Sequence, residues 1–355
     1  MRVSEMALGG SRRRRWPLGL VVLGLLAGCG RGPAAAGGAT GRPVTVTLGY
    51  FPNITHAPAI VGVEKGLFAR HLGTGVKLRT ATFNAGPAAV EALFAGAVDT
   101  AYIGPGPAIN GFVKSKGEAI RIVSGSTSGG ASLVVRQGID RPFDLVGKKL
   151  ATPQLGNTQD VALRTWLRKQ GLKTDLHGGG DVSIVPQDNA QTLETFRLGA
   201  IDGAWAPEPW ATRLVEEGGG KVLVDEATLW PGGRFVTTLL VVRTEFLKAR
   251  PDLVKRLVQG HIAAIGFINA SPGAARRLLN ETIAELTGKQ LPDRIIARAW
   301  ERVEFSTDPV ASSLEKMAGN ATALGLLDRF DLDGIYELAL LNQLMATGAK
   351  PEVNR

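Results

Sequence analysis

The sequence predicts an α/β protein of two lobes, each a mostly parallel sheet covered by helices, joined by a two-strand hinge. Three observations carry this. The chain has 355 residues, more than one average compact domain needs. From Val44 onward one order of signals, strand, helix, strand, helix, strand, occurs twice at a spacing of roughly one hundred residues. The apolar string Leu-Val-Val-Arg then brackets the second copy, at Leu133–Arg136 and again at Leu240–Arg243.

The first copy opens on Val44-Thr-Val-Thr-Leu48, alternating and β-branched, a strand by period and propensity. The polar loop Gly49–Thr55 leads into a helical pattern ending at Lys65-Gly66-Leu67, and Val76–Thr82 is a second strand. Asn84-Ala85-Gly86-Pro87 starts a helix, Pro87 being suited to its first turn, and Gly96 stops it. Ala97–Tyr102 leads into a third strand and the loop Gly104–Pro107. In the second copy Lys149–Thr152 is a strand, Pro153–Thr158 a loop, and a helix runs to Gln170-Gly171. Val182–Val185 is the next strand. Asn189-Ala190 again precedes a helix, which stops at Gly199, and Ala200–Trp205 leads to the loop Ala206–Pro209.

Gly-Ala-(Val/Ile)-Asp-x-Ala-(Tyr/Trp) thus occurs twice, each time after a helix and before a Pro-rich loop. A βαβαβ order calls for a parallel sheet with helices on its faces. The paired Leu-Val-Val-Arg strings suit a chain that crosses into a second lobe and returns, a two-strand hinge; the alternative is that both are ordinary core strands. On the hinge reading, lobe one takes residues 44–135 and 240–355, and lobe two takes 136–239. After Thr244 the pattern is helical. Pro251 opens a helix with Leu253, Val254, Leu257, Val258, Ile262 and Ile265 on one face, and amphipathic segments follow at Ala274–Leu286, Arg294–Val303 and Gly334–Leu344.

Before Val44 the chain reads as an export signal. Arg12–Arg15 form a positive segment, and Pro17–Ala27 an apolar run of about a dozen residues, short of the ~20 that span a membrane. Leu26-Ala27-Gly28-Cys29 places small residues before the only cysteine and resembles a bacterial lipobox. That resemblance implies removal of residues 1–28 and a lipid anchor on Cys29. The alternative is a plain secretory signal with an incidental cysteine. Residues 29–43, small and without hydrophobic pattern, then read as a flexible tether.

Composition narrows the function. Of the net charge of +9, residues 1–28 carry +4, which leaves +5 spread along the rest without a basic block. Nucleic acid is therefore not an expected partner. One cysteine excludes an internal disulfide and a cysteine-based zinc site. The histidines, His56, His71, His177 and His261, form no His-x-x-x-His pair, so no metal is expected. Gly218-Gly-Gly-Lys221 lacks P-loop spacing, and Gly104-Pro-Gly106 has Ile109 at the third glycine position of a dinucleotide fingerprint. Gly125-Ser-Thr-Ser-Gly129 carries Thr at the centre of a would-be nucleophile elbow. No enzyme and no cofactor are called for.

A cleft is called for instead, because ligands of parallel α/β sheets bind beyond the carboxyl ends of the strands. The loops there are Tyr50–His56, Phe83–Pro87, Gly104–Pro107, Gly156–Asp160, Gln187–Gln191 and Pro207–Trp210, rich in Asn, Thr, Gln, Gly and Pro and without Lys or Arg. Backbone N–H groups and side-chain donors at helix starts suit a small anion; the alternative is that these residues are only caps and turns.

Gly49-Tyr-Phe-Pro-Asn-Ile-Thr-His-Ala-Pro-Ala59 with Glu64-Lys-Gly-Leu-Phe68 resembles the opening of aliphatic-sulfonate-binding proteins. These belong to a wider group of ABC-importer binding proteins for sulfonates, taurine, nitrate and thiamine-precursor pyrimidines. Asp144-Leu-Val-Gly-Lys-Lys149 resembles that group's start to lobe two, and Gly156-Asn-Thr-Gln-Asp160 and Glu208-Pro-Trp-Ala-Thr212 are similar to the sulfonate branch. The resemblance covers nearly all of the chain after Cys29. It implies the type II periplasmic-binding-protein fold and a monomeric, membrane-anchored lipoprotein of the periplasm or cell surface. Its partners would be a small organic anion, a sulfonate first, and a permease with its ATPase.

The ligand positions that the resemblance implies are Asn53, Thr55, His56, Gly86, Gly104, Pro105, Asn157, Thr158, Gln159, Glu208 and Trp210. A ligand-facing Glu208 would suit an amine-bearing solute such as taurine, or a neutral heterocycle; facing elsewhere, it leaves the sulfonate reading intact. Taurine, nitrate and pyrimidine precursors remain as alternative solutes. A thiamine-pyrimidine-synthesis-like enzyme is the alternative of another class. Such enzymes resemble one another in a cysteine-rich iron-binding segment, which this chain lacks.

Overall fold

A computed structural model describes residues 44–347; Cys29, the expected signal segment 1–28 and the expected tether 29–43 lie outside the described residues. The first copy forms β1 (Val44–Tyr50), α1 (Ala57–Glu64), α2 (Leu67–Leu72), β2 (Val76–Thr82), α3 (Gly86–Phe94), β3 (Thr100–Ile103) and α4 (Pro105–Lys114), followed by β4 (Ile120–Gly129). The second forms β5 (Ala131–Val135), β6 (Lys149–Thr152), α5 (Thr158–Lys169), β7 (Ser183–Pro186), α6 (Asn189–Arg197), β8 (Gly203–Pro207), α7 (Trp210–Glu216) and β9 (Lys221–Asp225). The return leg is β10 (Val236–Arg243), α8 (Thr244–Ala249), α9 (Pro251–Ala270), α10 (Pro272–Thr287), α11 (Asp293–Trp300), β11 (Val303–Phe305), α12 (Ala311–Ala323) and α13 (Ala339–Thr347).

Two sheets result, in the orders β11-β4-β10-β3-β1-β2 and β7-β6-β8-β5-β9. Within each βαβαβ unit the pairing is parallel, as expected (β1 with β2 and β3, β6 with β7 and β8). The strands added beyond it, β10, β4 and β11 in one sheet and β5 and β9 in the other, are antiparallel, so both sheets are mixed. The two-residue period of the strands sorts their side chains between faces. Tyr102, Leu240 and Val242 join the core under α1, α9 and α10, while Ala101, Leu239 and Val241 join the one under α3, α4 and α12.

The repeated motifs prove to be equivalent positions of the two sheets. Asp99 Oδ2 accepts from Thr47 N–H (2.9 Å), and Asp202 Oδ2 from Lys149 N–H (2.9 Å), so each aspartate pins the first parallel strand of its own sheet to the third. The carbonyls of the same two residues accept from Arg243 N–H and Arg136 N–H, both at 2.9 Å. Leu240 pairs with Tyr102, and Leu133 with Trp205. This moves the two-strand hinge off the two strings. The two Leu-Val-Val-Arg strings lie in different sheets, each antiparallel to the third strand of its own lobe, and are core strands.

The crossings lie just before them. β4 runs into β5 through Gly129 and Gly130, both at positive φ (78° and 75°). A Cβ on Gly129 would stand 2.6 Å from the Arg302 carbonyl oxygen, and one on Gly130 2.4 Å from Val303 Cγ1, so no larger residue fits either place. The return strand lies alongside. Gly129 N–H donates to the Phe235 carbonyl (3.0 Å), Phe235 N–H to Ser128 Oγ (3.2 Å), and Thr237 Oγ1 to the Gly129 carbonyl. Residues 131–135 therefore belong to the second sheet and 236–239 to the first, which shifts both expected lobe boundaries towards the amino terminus.

Candidate functional site

The loops at the carboxyl ends of the parallel strands meet between the lobes around a cavity of about 30 Å³. Of the expected residues, Asn53, Thr55, His56, Gly86 and Gly104 line it from lobe one, and Asn157, Thr158 and Gln159 from lobe two. Four α-helices begin there: α3 at Gly86, α4 after Gly104, α5 at Thr158 and α6 at Asn189. In α3, α5 and α6 first-turn N–H groups have no intrahelical partner. The first turn of α4 instead holds Pro105 and Pro107, and its Gly106 N–H donates to Thr158 Oγ1 (3.3 Å). Of the four, only α5 carries a side-chain cap, Asn157 Oδ1 accepting from Asp160 N–H at 2.9 Å. Among the described residues no lysine, arginine, aspartate or glutamate lines the cavity. What it offers is a set of neutral donors and the positive ends of helix dipoles.

Each side chain is fixed from behind. Asp160, fully buried, accepts from Thr152 Oγ1 (2.9 Å), Gly156 N–H (2.9 Å) and Arg164 Nε (3.0 Å), which ties the loop 152–158 to the first turn of α5. Thr158 Oγ1 accepts from Gly106 N–H across the lobes (3.3 Å), leaving its own hydrogen to donate. A Cβ on Gly104 would come within 2.3 Å of that hydroxyl, and one on Gly106 within 2.9 Å of Thr158 N, so these glycines exist for the close approach of the lobes. His56 stacks on Phe51 (centroids 4.2 Å apart), and its Nδ1 accepts from Phe51 N–H (3.3 Å), which puts the imidazole hydrogen on Nε2. Burial lowers its pKa to about 3, so the ring is a neutral donor at ordinary pH.

Three expected residues fall elsewhere. Pro105, in the first turn of α4, is buried and does not line the cavity. Glu208 is turned away from it: its Oε2 accepts from Thr212 N–H (3.0 Å) and its Oε1 from Thr212 Oγ1 (3.0 Å), with Arg302 Nε 3.6 Å off. Burial, the largest cause, raises its pKa against the pull of those bonds. Trp210 lines an adjoining chamber of about 320 Å³, and its Nε1–H donates to Asn53 Oδ1 (3.0 Å) across the lobes.

Asn84, Asn189, Phe51 and Thr237 line the cavity without having been expected as ligand positions. A signal existed for the two asparagines, since an Asn-Ala pair precedes a helix in each copy. Thr237 had none. His261 is buried away from the cleft, with Nδ1 2.7 Å from Tyr102 Oη and Nε2 3.1 Å from Ser124 Oγ. Among the described residues no group of three His, Cys, Asp or Glu side chains is placed to hold a metal.

Around this cavity the lobes are joined by charge. Lys289, Arg294, Arg298 and Arg302 of lobe one face Glu208, Glu216, Glu217 and Asp225 of lobe two. The pairs include Lys289–Glu217 at 3.3 Å, Arg294–Glu216 at 3.6 Å and Arg302–Asp225 at 3.3 Å, with Arg298 also on Glu216. Asn84 Nδ2 donates to Asp188 Oδ2 at 3.2 Å on the opposite rim.

The family model for NMT1-like proteins matches residues 39–284. The chain belongs to the NMT1-like family. A protein of Brucella abortus (strain 2308) described as a binding protein is 30% identical over 232 residues, 64% of this chain and 68% of that one. The taurine-binding periplasmic protein of Escherichia coli (strain K12) is 29% identical over 223 residues, 63% of this chain and 66% of that one. Among solved structures, the alkanesulfonate-binding protein of Xanthomonas axonopodis pv. citri bound to MOPS superposes with a TM-score of 0.67 at 19% identity, over 82% of this chain and 96% of that one. The fold of this NMT1-like chain is therefore that of the periplasmic binding proteins. As expected from the sequence, these relatives are binding proteins.

Proposed function

We propose that the chain is the extracytoplasmic solute receptor of an ABC importer, held to the membrane by lipid on Cys29. It closes its lobes on a small organic anion, a sulfonate, for delivery to a permease driven by an ATPase. The observation that carries this is the inter-lobe cavity of neutral donors where α3, α5 and α6 begin, with no carboxylate among the described residues that line it. Burying a charge without hydrogen bonds is costly, and such donors satisfy a sulfonate's three oxygens without a counter-charge. With Glu208 turned away, the objection to a plain sulfonate is gone. The names of two relatives, for taurine and for alkanesulfonate, agree with a sulfonate head. A cavity of about 30 Å³ is too small for such a solute, so the lobes part to admit it.

Calorimetry of the mature chain against ethanesulfonate, nitrate and a thiamine-precursor pyrimidine tests the choice of head. The sulfonate is expected to bind most tightly, and Thr158→Ala to weaken it about ten- to a hundredfold, the value of a hydrogen bond to a charged group. Tighter binding of nitrate or the pyrimidine, or unchanged affinity in a folded Thr158→Ala, would overturn the reading.

A further inference from the structure

The inner cavity adjoins the chamber of about 320 Å³ between the lobes, and the two share Phe51, Asn53, Asn84 and Asn189 in their walls. The chamber is unlike the cavity. Phe51, Phe83, Leu193, Trp210, Ile283 and Leu291 give it apolar and aromatic walls drawn from both lobes. Its two cations are engaged with one carboxylate: Glu217 accepts from Arg213 Nε (2.9 Å) and from Lys289 Nζ (3.3 Å), and the Arg213 guanidinium also lies 4.5 Å over the Trp210 ring. An anionic head thus finds its donors in the inner cavity, and what projects from it meets an apolar space.

From this we infer that the chamber is a tail site that selects sulfonates bearing an aromatic ring over inorganic anions and two-carbon sulfonates. The inference rests on the reading of the inner cavity as the head site. Size supports it, because an apolar cavity of about 150 Å³ already holds benzene. Three aromatic residues in the wall suit a ring, which also loses less rotational freedom on binding than an alkyl chain does. Asp188 and Glu194, the acidic residues of the lining, stand at exposed positions, and Asp188 is already bonded to Asn84. An ammonium tail such as that of taurine has no buried carboxylate to meet there.

Titration of the mature chain with p-toluenesulfonate, hexane-1-sulfonate, ethanesulfonate and taurine tests the inference. Each buried methylene is worth about fourfold in affinity, so p-toluenesulfonate, with about three to four of its five additional carbons fully buried, is expected to bind about a hundredfold more tightly than ethanesulfonate. Thr287→Phe fills the chamber from an exposed position at the end of α10, away from the inner cavity. It is expected to cost p-toluenesulfonate at least about tenfold and to leave ethanesulfonate unchanged. Ethanesulfonate or taurine binding as tightly as p-toluenesulfonate would overturn the tail site. Tighter binding of hexane-1-sulfonate would overturn its preference for a ring, and an equal loss for all ligands in Thr287→Phe would overturn its separation from the head site. Failure of every sulfonate to bind would instead overturn the head site, and the tail assignment with it.

Discussion

Glu226 provides a test of the lobe-two core that is independent of any ligand. It follows β9, is 1% exposed, and its Oε2 accepts from Trp205 Nε1–H at 2.7 Å while its Oε1 accepts from Trp230 Nε1–H at 3.4 Å. Burial, the largest cause, raises its pKa from 4.5 to about 7 despite those two bonds. Between these values the folded chain keeps a proton that the unfolded chain has lost. Stability is thus greatest below the unfolded pKa and falls as pH rises through the folded one. At 1.36 kcal/mol per unit, the loss between pH 5 and pH 8 comes to about 2.5 kcal/mol. Glu226→Gln imitates the protonated carboxyl, keeping an acceptor for an indole without the ionisation. Urea unfolding followed by circular dichroism at pH 5 and pH 8 should show the parent losing about 2.5 kcal/mol more than the variant. Glu208, His56 and His261 also titrate abnormally, but they are common to both proteins and cancel in the difference. Parallel stability–pH curves for the two proteins would refute the reasoning.

The inter-lobe ion pairs should hold the ligand-free chain partly closed. Arg302→Met removes the partner of Glu208 and Asp225, and the radius of gyration from solution scattering should rise; 1 M salt should produce a similar expansion in the parent, since most of these pairs are partly exposed. An unchanged radius under both conditions would count against a charge latch. Cys29→Ser should move the chain from the membrane fraction to the soluble one on expression in a bacterium, and full retention with the membrane would refute the lipid anchor.

Most of the fold was legible because it is written locally. β2 was expected at Val76–Thr82 and is found there, since its β-branched residues and its flanking glycine and asparagine need no distant partner to declare a strand. The antiparallel additions left weaker traces. β4, Ile120–Gly129, ends in Ser, Gly and Thr and does not read as a central strand, yet several of its hydroxyls and carbonyls are taken up by tertiary partners. Ser124 Oγ donates to the Thr307 carbonyl (3.3 Å), and the Gly125 carbonyl accepts from His261 Nε2 at 2.8 Å. Likewise, Leu-Val-Val-Arg was visible as a repeat, but only the pairing partners Trp205 and Tyr102 show that it marks equivalent core strands.

The site was legible wherever a loop joins a strand to a helix, because strand period and helix-start residues announce such loops. It was not legible where a residue's direction depends on a remote group. Glu208 stands in an expected loop, and what turns it away is Thr212 together with Arg302, ninety-four positions along the chain. Thr237 reaches the cavity only because the return strand crosses there.

The placement of charge bears on which anions the cleft accepts. The acidic and basic groups between the lobes are matched with one another outside the inner cavity, and its lining is neutral, with His56 held uncharged. A bound anion would therefore be the only full charge inside. The cost of taking an ion out of water grows with the square of its charge, while its attraction to fixed neutral donors grows only in proportion. A cleft of this kind consequently favours a monoanion, with its charge spread over several oxygens, over a dianion of the same shape. Phosphate monoesters at neutral pH fall on the wrong side of that comparison. On the proposed reading, sulfonates, singly charged at every accessible pH and with three equivalent acceptor oxygens, suit the donors of Asn53, His56, Asn157, Thr158 and the starts of α3, α5 and α6.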